Sequence, residues 1–217
     1  MPSFAQALIA AAEAEHVRFA GRRETDGTVS DILVAYWMAV PGTSRNRALS
    51  HIADRTAWSA AFISFVVRAA LADSASPASF AFAASHSVYI GAAIRNDFNA
   101  VARPAFLGVP AHGDGAEALR PGDLLGWSRT TAIDDYEDAL KAARRHPSPG
   151  TYPSHVDVVT RIEDGIATLI GGNVSQTVKQ TTLKLSAEGF APVRGFKFNA
   201  AGDIISGPFI CLMRHGG

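Results

Sequence analysis

Four polar side chains stand where chemistry could be done: Ser59, His86, His155 and Asp157. Ser59 lies in Thr56-Ala57-Trp58-Ser59-Ala60-Ala61-Phe62-Ile63-Ser64-Phe65-Val66-Val67-Arg68-Ala69-Ala70-Leu71. That stretch predicts a buried helix, because apolar residues fall on nearly every side and only Ser64 and Arg68 make a polar stripe. With Thr56 as the expected N-cap, Ser59 falls in the first turn. At about 100° per residue, Ser59 shares a face with Phe62, Ile63, Val66 and Ala70. A hydroxyl at the amide-rich end of an apolar face suits a nucleophile, since the helix N-terminus stabilises developing negative charge. Taken alone, the plainer role of satisfying first-turn backbone groups is the better reading.

His86 falls in Ser85-His86-Ser87-Val88-Tyr89-Ile90, which starts a helix expected to run to about Phe98. It is a candidate site residue, though an ordinary capping or partly buried histidine is the better reading. His155 and Asp157 lie in the strand-like Ser154-His155-Val156-Asp157-Val158-Val159. Period two places them on one strand face, where Asp157 could orient His155, bind a substrate amine or pair with a surface arginine. A metal-dependent hydrolase built from His86, His155 and Asp157 lacks His-Glu-x-x-His or comparable spacing, so no metal site is expected.

Three motifs carry a family resemblance. Trp58-Ser59-Ala60-Ala61-Phe62-Ile63-Ser64 resembles the nucleophile helix of the NlpC/P60 and CHAP cell-wall hydrolases, where the pattern is Trp-Cys-Ala-x-Phe-Val. Pro121-Gly122-Asp123-Leu124-Leu125-Gly126-Trp127 resembles their Pro-Gly-Asp-Leu-Val-x-Phe strand. Ser154 to Val159 resembles Gly-His-Val-Gly-Ile-Val, whose histidine is the general base; Asp157 departs from the usual Gly or Ala. The motifs follow in the family's order. With Ser in the first, the set most resembles the DUF2272 domain proteins of bacteria.

The resemblance implies a papain-like α+β fold of NlpC/P60-CHAP type, with N-terminal helices packed on a mostly antiparallel sheet or half-barrel. It implies a nucleophile at Ser59, a base at His155, and a third polar residue at Asn173 that orients the base. Asn173 has a rival turn role, since Gly171-Gly172-Asn173 is a common turn composition. Trp58, His86 and Asp157 are expected to bind substrate or support these three. The implied reaction is cleavage of an amide bond in peptidoglycan, as amidase or endopeptidase, with no cofactor. Ser in the Cys position leaves three readings: a native Ser–His mechanism, a thiol site silenced by substitution, or a fold retained for wall binding or as a phage or secretion-apparatus module.

The elements that must position these residues follow from local signals. Ser3-Phe4-Ala5-Gln6 has the spacing of a capping box, and the Ala-rich helix behind it is expected to end at Gly21. A second helix spans Ile32 to Val40 and stops at Pro41-Gly42. Thr43 to Arg55 reads as a connector with a short helical turn, and Arg103 to Ala118 as loop. Asp134 to Arg145 reads as an exposed amphipathic helix which, with the Pro/Gly loop His146 to Pro153, could cover a cleft. Glu163-Asp164-Gly165 is a hairpin turn, and a strand over Ile166 to Ile170 is expected to end at Gly171-Gly172-Asn173. Further strands are expected at Val178 to Leu183, around Lys197-Phe198 and at Pro208 to Arg214. The chain is expected to form one domain over 1–217, with a helical extension 1–55, a core 56–217 and an inserted helix near 134–145.

Charge limits the partners. Lys plus Arg and Asp plus Glu both total 20 in 217 residues, so no global basic field argues for nucleic acid. No run has the length of a membrane span, and no Sec signal is visible. The expected partner is peptidoglycan or a peptide. A wall hydrolase without a signal, made in the cytoplasm, would reach the periplasm by a phage lysis route or a contractile secretion system, and an immunity or delivery protein would accompany it. The single cysteine, Cys211, excludes an internal disulfide and reads as core.

Overall fold

Residues 1–99, 103–145, 150–198 and 204–215 are described by a computed structural model. Its helices are α1 (Phe4–Phe19), α2 (Ser30–Met38), α3 (Arg45–Ala53), α4 (Ser59–Asp73), α5 (His86–Asn99) and α6 (Tyr136–Ala143). Its strands are β1 (Phe106–Val109), β2 (Leu124–Ser128), β3 (Ser154–Glu163), β4 (Ile166–Val174), β5 (Thr177–Lys184), β6 (Arg194–Phe198) and β7 (Ile204–His215). The fold is α+β. The sheet is antiparallel throughout, in the order β1-β7-β2-β3-β4-β5, with β6 pairing the first part of β7.

Both faces of the sheet are buried. One carries Leu124, Val156, Val158, Ile170, Val178, Ile210 and Met213, packed with apolar residues of α1, α2, α4 and α5. The other carries Leu125, Trp127, Val159, Leu169, Leu183 and Leu212, covered by Ala111, Leu119, Leu185 and Ala191. The first core runs from Phe4 to Met213, so the N-terminal helices share it with the sheet. Cys211 is fully buried within it. Ser3 and Gln6 form the capping box of α1: the Gln6 amide donates to Ser3 Oγ at 3.3 Å and the Ser3 amide donates to Gln6 Oε1 at 2.9 Å.

Several expectations are corrected. Thr56 does not cap α4. Its amide donates to the His51 carbonyl while Arg55 sits at φ 51°, so both finish α3 in a Schellman-type C-cap. The connector before it is a full helix, α3. Phe106–Val109, read as loop, is a strand because β7 pairs with it in register from Phe106↔His215 to Val109↔Leu212. Gly171 and Gly172 lie inside β4 and do not end it. A Cβ on Gly171 would lie 1.9 Å from Asp157 Oδ1, and one on Gly172 would lie 2.5 Å from Phe62 Cβ. The strand therefore threads a slot too narrow for any side chain on either face. Of the loop after α6, residues 146–149 lie outside the described residues.

The ladder between β3 and β4 decides where the site falls. β3 pairs with β2 over Ser154–Val158, but with β4 only from Val158 to Glu163. Its first half, carrying His155 and Asp157, thus has ladder bonds on one side only.

Candidate active site

Ser59 is the first residue of α4, and Trp58 is the cap. The start of the helix is anchored through Trp58. Its ring lies 5.4 Å from Phe19 and 5.8 Å from Tyr36, and its indole N–H donates to Glu24 Oε2 at 2.6 Å. No side chain caps α4, and among the described residues the amides of Ser59, Ala60 and Ala61 have no acceptor. These are the orphan donors of a helix N-terminus, here beside a hydroxyl.

The polar stripe on α4 sets the partner of that hydroxyl. Ser64 is fully buried and makes two bonds to one loop residue: its Oγ donates to the Ala83 carbonyl at 3.1 Å and accepts from the Ala83 amide at 3.2 Å. Arg68 donates to the Ala39 carbonyl at 2.7 Å and lies over the Phe82 ring at 4.5 Å. Together they clamp the segment leading into α5. His86, the first residue of α5, is thereby delivered to Ser59, with Oγ and Nε2 2.7 Å apart. On its other side, His86 Nδ1 is hydrogen-bonded to the Tyr89 hydroxyl. Tyr89 was not singled out by sequence reasoning. Its signal was the i,i+3 spacing from His86, which places the two side chains together on a helix.

His155 and Asp157 share one face of β3, as period two requires. His155 Nε2 lies 3.1 Å from Asp157 Oδ1, and the Trp127 indole donates to Asp157 Oδ2 at 3.1 Å. Arg129 Nη2 approaches His155 Nδ1 at 3.5 Å. The His155 ring centroid is 5.1 Å from that of His86, and likewise 5.1 Å from that of Trp127. The two histidines are therefore neighbours, each with its own oxygen partner: Ser59 for His86 and Asp157 for His155.

Among the described residues no hydrogen bond joins Ser59 to His155, or Asn173 to His155. Asn173 is half-buried at φ 57°, where the β4–β5 register shifts between Gly171 and Val174. It occupies the left-handed position of a bulge that bends β4 just before its hairpin turn. Among the described residues, no group of three or more His, Cys, Asp and Glu side chains is arranged to hold a metal ion.

Burial, with the nearby charges of His155 and Arg129, holds the His86 imidazole well below its ordinary range. His86 is therefore neutral at physiological pH. Burial alone would push Asp157 up, but His155, the Trp127 N–H and Arg129 outweigh it and hold the carboxyl below its usual range. Burial pushes the Tyr89 hydroxyl well above its ordinary range, with the Asp157 charge adding to the effect, so Tyr89 keeps its proton. The cluster is a neutral Ser–His–Tyr chain beside an ionised aspartate. The site is deeply set: Ser59 is 6% exposed, His86 4% and His155 0%.

With this geometry in place, residues 5–196 match the family model described as an uncharacterized protein conserved in bacteria, DUF2272. The chain belongs to the DUF2272 family. No curated protein and no solved structure matches it. The DUF2272 match contains Ser59, His86, Tyr89, His155, Asp157 and Asn173. Among the described residues no helix is long and apolar enough to cross a membrane.

Proposed function

We propose that this DUF2272 protein is a serine amide hydrolase acting on peptidoglycan or a related peptide, on a papain-like scaffold of NlpC/P60-CHAP type. The observation that carries this reading is the 2.7 Å contact between Ser59 Oγ and His86 Nε2 at the uncapped start of α4. That distance is within hydrogen-bond reach of a nucleophile and its base. The substrate class comes from the motif resemblance alone.

In this scheme His86 takes the Ser59 proton at Nε2 as Oγ attacks the amide carbonyl. The oxyanion is received by the amides at the head of α4. The proton then passes to the leaving amine, and water releases the acyl-serine by the reverse sequence. Nε2 can accept only when Nδ1 carries the ring proton, and the Tyr89 oxygen is the acceptor placed to hold it there. His155 lies next to the His86 ring and, with Arg129, adds to the burial that keeps that ring neutral. Compared with the implied assignment of His155 as base and Asn173 as its orienter, this scheme gives those parts to His86 and Tyr89.

A second reading, a wall-binding or delivery-apparatus module of the same fold, is favoured by one observation: Ser59 is 6% exposed, which leaves little room for a substrate carbonyl. A digest of purified peptidoglycan analysed by mass spectrometry separates the two. The hydrolase releases fragments that vanish in Ser59→Ala and fall by about 10²-fold or more in His86→Gln. Fragments appearing only with Ser59→Cys identify a silenced thiol site. Sedimentation with intact wall and no cleavage by any variant identifies the binding module.

A further inference from the structure

Beside the Ser59–His86 pair, an arginine is held in place without an anion to match it. Arg129 follows β2, and its amide donates to the Pro153 carbonyl at 2.9 Å. Ser128, fully buried, spans it: Ser128 Oγ accepts from the Thr130 amide at 3.2 Å and donates to the Thr130 carbonyl at 2.9 Å. Two buried neighbours place the head. Its Cζ lies 5.2 Å from the Trp127 ring centroid, and Nη2 approaches His155 Nδ1 at 3.5 Å. His155 is held at Nε2 by Asp157, whose other oxygen accepts from the Trp127 indole. Trp127, Asp157, His155 and Arg129 thus close a ring of contacts in which Arg129 is the exposed member and the other three are buried. The ring does not use up the guanidinium. Among the described residues no carboxylate lies within ion-pair distance of it. A guanidinium placed only to balance Asp157 would reach that carboxylate directly; here His155 stands between them.

Arg214 shows the contrast of an arginine satisfied by the fold. Burial alone would lower its pKa, but Asp123 and Glu117 outweigh burial and raise it. Arg129 goes the other way: crowding by the site's side chains lowers it, and Asp157 offsets this only in part. Its head has given up hydration without gaining a carboxylate. It also stands next to the reacting pair. The His155 ring that it touches is 5.1 Å from the His86 ring, centroid to centroid, and the Arg129 charge acts on His86. We propose that Arg129 is the carboxylate receptor of this site, taking through its guanidinium a carboxylate carried beside the scissile amide of a peptide. This deepens the hydrolase reading and rests on it for the reacting pair, Ser59 and His86. The planar fork matches a carboxylate in two parallel N–H···O bonds, which replace the hydration the head has lost. Two side chains, His155 and His86, separate Arg129 from Ser59, a span that one or two residues of extended peptide cover at about 3.3–3.6 Å each. The substrate is therefore an acidic peptide with its charge next to the bond that is cut.

The test reads binding without turnover, in the Ser59→Ala protein. N-acetylalanylalanine, in its L and D forms, is titrated to about 10 mM as the free acid and as the C-terminal amide. The ring signals of His86 and His155 are followed by NMR at constant pH and ionic strength. The expected result is a saturable shift of both rings with the free acid. Amidation of the ligand weakens binding by about tenfold or more, and so does Arg129→Gln. Arg129→Lys keeps the charge but loses the fork, and falls between the two. Arg129 is exposed and makes no ion pair among the described residues, so both variants retain the fold. No saturable shift with either free acid overturns the proposal, and so does equal binding of acid and amide, or binding that Arg129→Gln leaves unweakened. Because no bond is cleaved in this assay, its failure leaves the hydrolase reading standing. Acid-selective binding with no digestion of the wall would remove the chemistry and keep the carboxylate site.

Discussion

Replacing Gly171 with alanine is the sharpest probe of the His155–Asp157 pair. The new Cβ would lie 1.9 Å from Asp157 Oδ1 and 3.0 Å from His155 Nε2. The carboxylate oxygen must retreat by about 1.5 Å to reach the 3.4 Å of ordinary contact. Asp157 is 7% exposed and bonded at both oxygens, so retreat breaks its bonds to His155 and Trp127. Each hydrogen bond to a charged group contributes about 1.5–3 kcal/mol, and overpacking costs about 1–3 kcal/mol more. The expected loss is therefore about 4–9 kcal/mol, a large share of the ~5–15 kcal/mol that holds a domain together. Urea unfolding at neutral pH measures it. The same substitution in an Asp157→Ala background has no carboxylate to displace and should cost about 1 kcal/mol or less. The coupling between positions 171 and 157 should then exceed about 2 kcal/mol. A Gly171→Ala protein within about 0.5 kcal/mol of the parent, or additive costs in the double variant, would refute the packing described for this slot.

Three other perturbations test the site. His86 should stay neutral in an NMR titration well below the pH at which an exposed histidine protonates; His155→Gln or Arg129→Gln should raise its pKa, while burial keeps it below ordinary. Asp157 titrates lower in the folded than in the unfolded chain, so its stabilisation is present above about pH 3.9 and is lost as pH falls through the folded value. Asp157→Asn should accordingly flatten the acid limb of a stability–pH profile and lower the plateau at pH 7. Ser64→Ala leaves the Ala83 amide and carbonyl without their partner, and should cost about 1–3 kcal/mol in urea melts. It should also broaden or move the His86 ring signals, and unchanged ring signals would separate the clamp from the placement of His86 against Ser59.

Local signals in the chain were legible and distant ones were not. Ser3 and Gln6 are neighbours on one turn, and their capping box is visible in four letters. The apolar run of α4, the start of α5 and the shared strand face of His155 and Asp157 follow from periodicity in the same way. Thr56 looked like a cap because helix-start and helix-end residues overlap in type; a backbone bond to His51 decides between them. Phe106–Val109 is too short to announce itself, and becomes a strand only through β7, about a hundred residues later. Gly171-Gly172 has turn composition, and only the positions of Phe62 and Asp157 reveal that it avoids two clashes. The pairing of Ser59 with His86 depends on Ser64 and Arg68 holding a loop, a tertiary event that motif order could not convey.

The place of β7 between β1 and β2 bears on how the protein is made. Ribosomes add about 5–20 residues per second, so β1 waits on the order of ten seconds for the strand that pairs with it. During that interval β2 presents an open edge, and the β3–β4–β5 meander can form without its neighbours on that side. Closure of the sheet is a late event gated by the final strand, with high contact order and slow pairing. Nascent chains halted before residue 204 should hold the helices and the meander, stay sticky along β2, and draw on chaperones until Ile204–His215 slides into the gap.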